Sequence, residues 1–387
     1  MKKESKFMEI VPTSTTLEMA EIARQYEARG KKLVHFELGE PDFKTPSNVI
    51  DAAHRAMREG FTHYVSSRGI PSLLDAISVH EKSFGINADP DKNIVVVPGS
   101  KFAIYALLRA IIDPDDEVII VSPSWPSCAD IVRVVGGHPI PVALDDSLRL
   151  DEEGLEKAIS SRTRLLMINS PSNPTGSVLN AHDLNLLRDL AIDRDFLVMS
   201  DEIYKMITYD GAKHVSIASM PDMSERTVIV DGFSKTYAMT GWRLGYAVGP
   251  EKIIANMVKI QMNTTTCAVS FAQYAAAEAL SGPQDSVKTM LEEYTRRRSI
   301  ILKLVQDIPG IECAEPQGAF YLFPDITSFR KSDRDISRGL LESGVSLTPG
   351  SPFGPGGAGH IRVSYATSMD DILEGMRRMR EYFDSLQ

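Results

Sequence analysis

One lysine, Lys235, lies in the segment of this 387-residue chain that is best suited to chemistry. It stands among small and apolar residues, directly after a strand predicted at Thr227–Val230. Burial disfavours a charged lysine and lowers its pKa, and a neutral lysine amine is the nucleophile for Schiff-base chemistry with a carbonyl. Eight residues later, Arg243 supplies a permanent positive charge suited to a phosphate. On their own, these two residues are equally consistent with an ordinary loop lysine and a surface arginine.

Three further turns place polar groups after predicted strands. Asn173 follows the strand at Arg164–Asn169, in a turn that two prolines and a glycine constrain. Asp201 ends the apolar strand at Phe196–Ser200, where a carboxylate needs a cationic or hydrogen-bonding partner. The segment Gly99–Lys101 leads from a strand into a helix, and free backbone N–H groups there form an anion site. Each turn alone is compatible with a structural role, but carboxyl ends of parallel strands share one edge, so the four segments can converge.

The elements that must position these residues alternate along the central part of the chain. Apolar runs without polar alternation predict strands buried on both faces, and strand–helix alternation predicts a mostly parallel sheet with helices on both sides. Ligands of such folds bind beyond the carboxyl ends of the strands. The predicted strands are Ile94–Val97, Glu117–Val121, Arg164–Asn169, Phe196–Ser200, Thr227–Val230 and Leu244–Val248, and the predicted helices are Lys101–Ile112, Ser127–Val135 and Ala181–Ile192.

The pattern changes after about residue 282, where the sequence predicts a smaller α+β domain. Ser368 and Asp371 form a helix-capping pattern ahead of the last helix. The first 40 or so residues contain one helix and can belong to either domain. The remaining predictions are helices at about Leu17–Arg29 and Val287–Val305 and strands at Gly318–Phe323, Val345–Leu347 and Ile361–Tyr365.

Composition and charge exclude several classes of protein. A content of 43% hydrophobic and 24% charged residues is ordinary for a globular chain and excludes disorder and coiled coil. The net charge of −10 argues against nucleic acid or an anionic membrane as the main partner. Three separated cysteines and eight histidines without metal-ligand spacing predict neither a disulfide framework nor a metal site. No signal peptide or membrane span is apparent, so we expect a soluble cytoplasmic protein.

One motif is a decoy. Residues Gly354–Gly359 match G-x-G-x-x-G, but a strand follows them and Pro355 interrupts them. A dinucleotide-binding turn must instead follow a strand and open a helix. The segment is therefore interpreted as an interdomain loop.

Together, five motifs in this order resemble a fold-type I pyridoxal-phosphate enzyme, specifically a class I/II aminotransferase of the aspartate aminotransferase superfamily, in its prokaryotic aspartate/aromatic branch. The segment Gly232–Gly245 fits the family signature, and matching features run from Gly39–Asp42 to Arg362–Thr367. The resemblance implies an α/β fold with a large domain at 44–282, built on a mostly parallel seven-stranded sheet flanked by helices. It also implies a smaller α+β domain built from 1–43 and 283–387.

The resemblance further implies a role for each site residue. Lys235 would hold pyridoxal 5′-phosphate covalently and move the proton of the substrate Cα, while Asp201 would pair with the pyridinium nitrogen. Arg362 would bind the substrate α-carboxylate as a bidentate pair. The expected catalytic residues are Lys235, Asp201 and Tyr204. The expected cofactor-binding residues are Gly99, Ser100, Lys101, Trp125, Asn173, Asp201, Tyr204, Ser234, Lys235, Arg243 and Tyr64. The expected substrate-binding residues are Gly39, Trp125, Asn173, Arg362 and Lys101, and no metal is expected.

The resemblance also implies a homodimer with shared active sites. Tyr64 matches a family tyrosine that reaches the phosphate of the neighbouring subunit, and the polar strip Asn263–Thr266 would be a second cross-subunit contact. Two departures concern anion binding. Gly232 stands where many relatives carry a phosphate-binding serine, and the strip at Gln261–Ser270 lacks the arginine that grips a distal carboxylate in animal-like aspartate enzymes. Lys101 is the candidate substitute for that arginine, with Arg68 as the second candidate.

The implied activity is transfer of the α-amino group of an L-amino acid, aspartate by preference, to 2-oxoglutarate by a ping-pong route. An aromatic or broad amino acid specificity is the alternative within the same activity. A C–S β-lyase or a cyclopropane-forming synthase would use the same lysine, aspartate and arginine. An aminotransferase-like sensor domain of a transcription regulator is disfavoured by the acidic charge and by family features that begin within the first 40 residues. A tight pocket for a neutral side chain would involve Ile10–Thr16 and the neighbourhood of Tyr321.

Overall fold

A computed structural model describes Met8, Val11 and residues 15–145 and 148–386. The strands are β1 (Val34–His35), β2 (Ile94–Val97), β3 (Glu117–Ser122), β4 (His138–Ala143), β5 (Thr163–Asn169), β6 (Leu197–Asp201), β7 (Thr227–Gly232), β8 (Gly245–Val248), β9 (Tyr321–Leu322), β10 (Val345–Ser346), β11 (Thr348–Pro349) and β12 (Ile361–Ser364). The helices are α1 (Thr15–Ala28), α2 (Ser47–Arg58), α3 (Pro71–Lys82), α4 (Ser100–Ile111), α5 (Ser127–Val135), α6 (Glu152–Ala158), α7 (Ala181–Asp193), α8 (Glu251–Met262), α9 (Ser270–Ser281), α10 (Asp285–Gln306), α11 (Asp333–Glu342) and α12 (Met369–Asp384).

The large sheet confirms the predicted α/β architecture. Its seven strands run in the order β2-β8-β7-β6-β5-β3-β4, and only β8 is antiparallel to its neighbours. Successive residues of a strand point to opposite faces, so Val228 packs in the core that α4, α5 and α8 cover, whereas Ile229 faces the core that α2, α3 and α9 cover. Continuous apolar strands follow from this two-sided burial. The ends of β5, β6 and β7 consequently lie side by side at one edge.

Strand β4 is the member of the sheet that the residue pattern did not predict. It contains Pro139 and Pro141 and is mostly not buried. Proline removes a ladder hydrogen bond and argues against a central strand, but it is tolerated at an edge. Since β4 pairs only with β3, it occupies such an edge, and the missing amide hydrogens are not needed there. Helices α2, α3, α6, α8, α9 and α11 were likewise not identified from the residue pattern.

The smaller α+β unit packs around a core that also takes in residues from the segment after β6. Strands β11, β12 and β9 form an antiparallel sheet, and β1 pairs with β10 in parallel, where the sequence predicted one strand at Val345–Leu347. The predicted cap of α12 is confirmed, because the Ser368 hydroxyl accepts a hydrogen bond from the Asp371 amide at 3.1 Å. Val34 and Phe36 pack in a core made mainly by residues after 290, which supports the predicted recruitment of the N-terminal segment. The domain boundaries themselves stay a prediction.

No helix within the described residues is long and apolar enough to cross a lipid bilayer.

Candidate active site

A cavity of about 370 Å³ lies at the carboxyl ends of β5, β6 and β7, where the predicted turns converge. Residues from both units line it, so the site lies between the large sheet and the smaller unit. The lining residues are Gly39, Ser100, Lys101, Trp125, Asn169, Asn173, Asp201, Ile203, Tyr204, Ser234, Lys235, Thr240, Arg243, Tyr321 and Arg362. Apart from Gly99 and Tyr64, every residue predicted for the site is among them.

Lys235 follows β7 by three residues, and its amine enters the cavity. Nζ donates a hydrogen bond to the carbonyl oxygen of Gly39 at 2.5 Å. Burial lowers the pKa of Lys235 to about 8; Arg362 and Arg243 act in the same direction, and Glu40 opposes them. A substantial neutral fraction is therefore present near physiological pH, as a nucleophilic amine requires. A Cβ on Gly39 would lie 2.5 Å from the Tyr321 hydroxyl, so a side chain here would require Tyr321 to shift.

Asp201 is the last residue of β6 and is 7% exposed. One carboxylate oxygen accepts a hydrogen bond from the amide of Ile203 at 3.2 Å. Burial raises the pKa of Asp201 to about 7; the Ile203 amide opposes this effect, and the charges of Asp231 and Glu202 reinforce it. A buried carboxylate in this condition would be stabilised by a cationic N–H partner inside the cavity.

Arg362 enters the cavity from β12 and is 1% exposed. Its guanidinium donates to Asn173 Oδ1 at 3.1 Å and to the carbonyl oxygen of Glu37 at 2.6 Å. The group lies 4.7 Å from the Tyr321 ring centroid. Its Nε is buried and has no hydrogen-bond partner within the described part of the chain. A buried guanidinium with a spare donor is suited to a carboxylate ligand.

Two tyrosine hydroxyls meet beside these charges. Tyr204 and Tyr321 lie 2.8 Å apart, oxygen to oxygen, and both are buried. Burial and the adjacent Tyr321 raise the pKa of Tyr204 well above its ordinary value, so its hydroxyl stays protonated at physiological pH. A protonated phenol in this place is a hydrogen-bond donor to an anionic oxygen.

Another region of the cavity has groups suited to an anion. Ser100 opens α4, whose first amides are free to bind an anion, and Ser234 and Arg243 line the same region. Gly99 has φ +89°, and a Cβ there would lie 2.5 Å from Nη2 of Arg243. A Cβ on Gly232 would lie 3.0 Å from Ser100 Oγ. A side chain at Gly232 would therefore require its neighbours to shift.

Lys101 and Trp125 lie together on one wall of the cavity. The Lys101 ammonium is 4.5 Å from the Trp125 ring centroid, within cation–π range. Burial lowers the pKa of Lys101, and the charge of Arg243 lowers it further. The pair presents one aromatic face and one cation to whatever occupies the site.

Three predicted residues or segments lie away from the cavity. Tyr64 is 85% exposed on the outer surface. Arg68 donates to the carbonyl oxygens of Lys92 at 3.2 Å and Ile94 at 2.8 Å, at the amino end of β2. This position favours a structural role for Arg68. The strip Asn263–Thr266 follows α8 on the surface, and most of Ile10–Thr16 lies outside the described residues.

Four lining residues were not among the predicted site residues, although the neighbourhood of Tyr321 was expected to shape a pocket for a neutral side chain: Asn169, Ile203, Thr240 and Tyr321. Asn169 accepts a hydrogen bond from the Asn173 amide at 2.7 Å and donates to the carbonyl oxygen of Asp201 at 3.0 Å, so it links two of the turns. Its position at the end of a predicted strand was the signal that could have identified it. Tyr321 belongs to the smaller unit, and no local pattern indicates that it reaches Tyr204.

The fold and the cavity bring together a buried lysine with a lowered pKa, a buried carboxylate and two regions suited to anions. The chain belongs to the family described as aminotransferase class I and II, which matches residues 31–379, and the predicted resemblance is therefore confirmed. It is an aminotransferase by family.

Individual relatives agree with this assignment. The aspartate aminotransferase of Geobacillus stearothermophilus is 40% identical over 395 residues, which cover 100% of both chains. The aromatic-amino-acid aminotransferase 2 of Thermococcus litoralis is 39% identical over 380 residues, which cover 97% of this chain and 96% of that relative. The structure of the Thermus thermophilus aspartate aminotransferase with maleate superposes with a TM-score of 0.94 at 36% identity, covering 99% of this chain and 100% of that one.

Proposed function

We propose that this protein uses pyridoxal 5′-phosphate to move the α-amino group of an L-amino acid, aspartate by preference, to 2-oxoglutarate in a ping-pong reaction. The observation that carries the proposal is one cavity that contains the Lys235 amine, the Asp201 carboxylate and the Arg362 guanidinium with its spare donor. A lysine nucleophile alone would suit many reactions, but these three groups together suit a cofactor that carries a carbonyl and a substrate that carries a carboxylate.

The residues fit the cofactor. The region at Ser100, Ser234 and Arg243 suits its phosphate. The buried Asp201 suits its ring nitrogen, because no cationic side chain among the described residues forms a salt bridge with that carboxylate. Trp125 would stack on the ring face. When bound, pyridoxal phosphate supplies a carbonyl for the lysine and a ring that withdraws electrons from the substrate Cα.

The chain's own residues would then bind, orient and move a proton. Asp201, as an anion, would keep a proton on the ring nitrogen. Asn173 and Tyr204 would hold the ring hydroxyl oxygen, each through a hydrogen bond. Arg362 would grip the substrate α-carboxylate and so direct the Cα–H bond toward the Lys235 amine. That amine, which has a neutral fraction near physiological pH because burial lowers its pKa to about 8, would carry the proton away from Cα and later return it.

The preference for a dicarboxylic substrate is supported by Lys101. It lines the cavity beside Trp125, and no arginine is present in the strip at Gln261–Ser270. The T. thermophilus relative was solved with maleate, which is itself a dicarboxylate. Both aspartate and aromatic enzymes occur among the relatives, so an aromatic or broad preference is the alternative that the experiment below must separate.

A homodimer with shared sites is also part of the proposal, and the surface around Tyr64 supports it. Phe61 and Met262 are exposed apolar side chains in the same region, at 38% and 58%. The Tyr64 loop is held in place because Ser270 Oγ donates to the Phe61 carbonyl oxygen at 2.7 Å and Gln261 Nε2 donates to the Ser67 carbonyl oxygen at 2.5 Å. A fixed, exposed tyrosine at an apolar surface is suited to reach a second copy of the chain. Cytoplasmic location stays a prediction from sequence.

The experiment is a half-reaction. The protein is loaded with pyridoxal phosphate, and single amino acids are added without any oxo acid while the absorption spectrum is recorded. We expect the band of the lysine-bound cofactor to be replaced by the pyridoxamine band, fastest with aspartate or glutamate. A faster reaction with tyrosine or phenylalanine would establish the aromatic alternative. Pyruvate release without the pyridoxamine band would indicate a C–S β-lyase, and absence of any cofactor band would refute the proposal.

A further inference from the structure

Behind the cavity wall lies a buried ionic cluster that the proposed mechanism does not use. It consists of Glu81, Lys205, Asp231 and Tyr246, which are each at most 4% exposed. The Lys205 ammonium donates to Glu81 Oε1 at 2.6 Å and contacts Asp231 Oδ2 at 2.8 Å. The Tyr246 hydroxyl lies 2.7 Å from that same Glu81 oxygen and 2.8 Å from the same Asp231 oxygen. Burial of charge is unfavourable, so a cluster of this kind calls for an explanation.

The cluster holds one cation against two carboxylates. Burial opposes the charged form of Lys205, but Asp231 and Glu81 outweigh it and raise the pKa of Lys205 above its ordinary value. Burial and the Lys205 charge lower the pKa of the adjacent His80 to about 4, so His80 is neutral. His80, Glu81 and Asp231 have the spacing of metal ligands, but the Lys205 ammonium already supplies the cation between the two carboxylates.

The cluster joins the two turns that carry the proposed catalytic groups. Lys205 follows Tyr204 directly and lies in the turn after Asp201 at the end of β6. Asp231 lies near the end of β7, four residues before Lys235, and its Oδ1 accepts a hydrogen bond from the Gly232 amide at 2.6 Å. The Lys205–Asp231 contact therefore ties one turn to the other from behind, while the side chains of Tyr204 and Lys235 face the cavity.

The cluster also acts on Asp201 through charge. Asp231 and Glu202 are the two carboxylates whose negative charges disfavour ionisation of Asp201. Glu202 has its own partners, since Ser216 Oγ donates to it at 2.5 Å and His214 Nε2 lies 3.0 Å from its second oxygen. For Asp231 the compensating charge is that of Lys205. Burial and the charge of Glu81 raise the pKa of Asp231, and Lys205 opposes both effects. Without Lys205, Asp231 would either remain an unbalanced anion behind Asp201 or take up a proton.

We propose that Lys205 is a positioning residue, which ties the Asp201–Tyr204 turn to the Lys235 turn and offsets the charge of Asp231 so that Asp201 stays ionised. The proposal rests on the roles proposed above for Asp201 and Lys235. It predicts that loss of the ammonium moves the electrostatic potential of the cofactor site, which a purely structural ion pair would not do.

The test compares four forms of the full-length holoprotein: wild type, Lys205→Met, Lys205→Met/Asp231→Asn and the control Arg298→Met. Methionine keeps the length of the lysine stem without its charge. The double variant removes one positive and one negative charge, so it restores the net charge of the cluster, and asparagine keeps an acceptor for the Gly232 amide. Arg298 is a cation buried to 3% exposure, paired with Asp210 and Glu315 away from the cavity.

Two measurements are made on each form: the pKa of the lysine-bound cofactor chromophore, by absorbance against pH, and the Tm of the cofactor-free protein. In Lys205→Met we expect the chromophore pKa to rise by about 0.5 pH unit or more, because a cation has been lost nearby. The Tm should fall by roughly 5 °C or more, since the remaining carboxylates are uncompensated. The double variant should return the chromophore pKa to its wild-type value, and Arg298→Met should lower the Tm alone.

An unchanged chromophore pKa in Lys205→Met, or an equal change in Arg298→Met, would overturn the proposal. If Lys205→Met does not fold, the double variant carries the test, and a wild-type chromophore pKa in that variant supports charge compensation. A chromophore pKa of the double variant that differs from the wild-type value, or failure of both variants to fold, would show that the cluster serves folding rather than the site. Failure of the proposed function is distinguishable, because it would appear in the wild-type protein itself, either as a half-reaction without the pyridoxamine band or as the absence of any chromophore.

Discussion

Asp201→Asn should stabilise the cofactor-free protein at alkaline pH even though it abolishes transamination. The pKa of Asp201 is raised by burial to about 7, about three pH units above its ordinary value of 3.8. Each pH unit corresponds to 1.36 kcal/mol, so keeping Asp201 ionised in the folded protein costs up to ~4 kcal/mol at pH 8. Asparagine has nearly the same shape, carries no charge and can still accept the hydrogen bond from the Ile203 amide.

The sign of the effect fixes its pH dependence. A raised folded-state pKa means that the folded protein holds the proton more tightly than the unfolded chain, so the contribution of Asp201 to stability worsens as pH rises from about 3.8 to about 7. The advantage of Asp201→Asn should therefore fall from at most ~4 kcal/mol at pH 8 to at most ~1.6 kcal/mol at pH 5, because the cost vanishes below pH 3.8. Denaturant unfolding of the cofactor-free protein at the two pH values measures both quantities.

Asp183 provides the matched control. It is 3% exposed, but it pairs with Arg149 at 2.8 Å and caps α7 through the amide of Asn180. Asp183→Asn should therefore lower the free energy of unfolding at pH 8, in the opposite direction to Asp201→Asn. If Asp201→Asn were no more stable than wild type at pH 8, or equally favoured at both pH values, the assignment of a carboxylate whose pKa is raised by burial would be wrong. Retention of transamination by this variant would refute its proposed role at the ring nitrogen.

Three further outcomes are expected. Lys235→Ala should lose the cofactor linkage that borohydride reduces, as checked by mass spectrometry, and persistence of a reduced adduct would reassign the lysine. Lys101→Ala should raise the KM for aspartate by about 10-fold or more, since a charge-assisted hydrogen bond contributes roughly 1.5–3 kcal/mol. The KM for phenylalanine should change much less. An equal increase for both substrates would mean that Lys101 does not recognise the substrate side chain. Gly39→Ala places a Cβ 2.5 Å from the Tyr321 hydroxyl and should lower kcat/KM for all amino acids alike; unchanged kinetics would show that the loop can yield.

The elements around the site were predictable where the local pattern alone decides the structure. Strand β2 and helix α5 have the predicted bounds. The wholly apolar run of β2 favours a buried strand, and Pro126 and Gly136 mark where α5 begins and ends. The turns after β5, β6 and β7 were predictable for the same reason, since each combines a buried strand with a polar residue that requires a partner. The motifs in those turns, read in order, were sufficient to indicate the family.

Other parts of the structure depend on contacts between distant segments. Strand β4 contains two prolines that argue against a strand, and it forms because it lies at an edge of the sheet. The Tyr204–Tyr321 contact joins residues 117 positions apart, and the Asn173–Arg362 hydrogen bond joins residues 189 apart. No local pattern encodes such pairs.

The sequence by itself determined the kinds of groups in the site and the strand ends that present them. Only the tertiary structure decided which of them are buried together, and hence their charge states. Asp201 has a pKa raised to about 7 and Lys235 one lowered to about 8 because packing removes both from water. Packing likewise decides the charge state of Lys205, because it places the ammonium against Asp231 and Glu81. In the sequence, Lys205 is only one more charged residue after Tyr204. Desolvation and Coulomb interactions depend on three-dimensional distance, and chain order does not specify that distance.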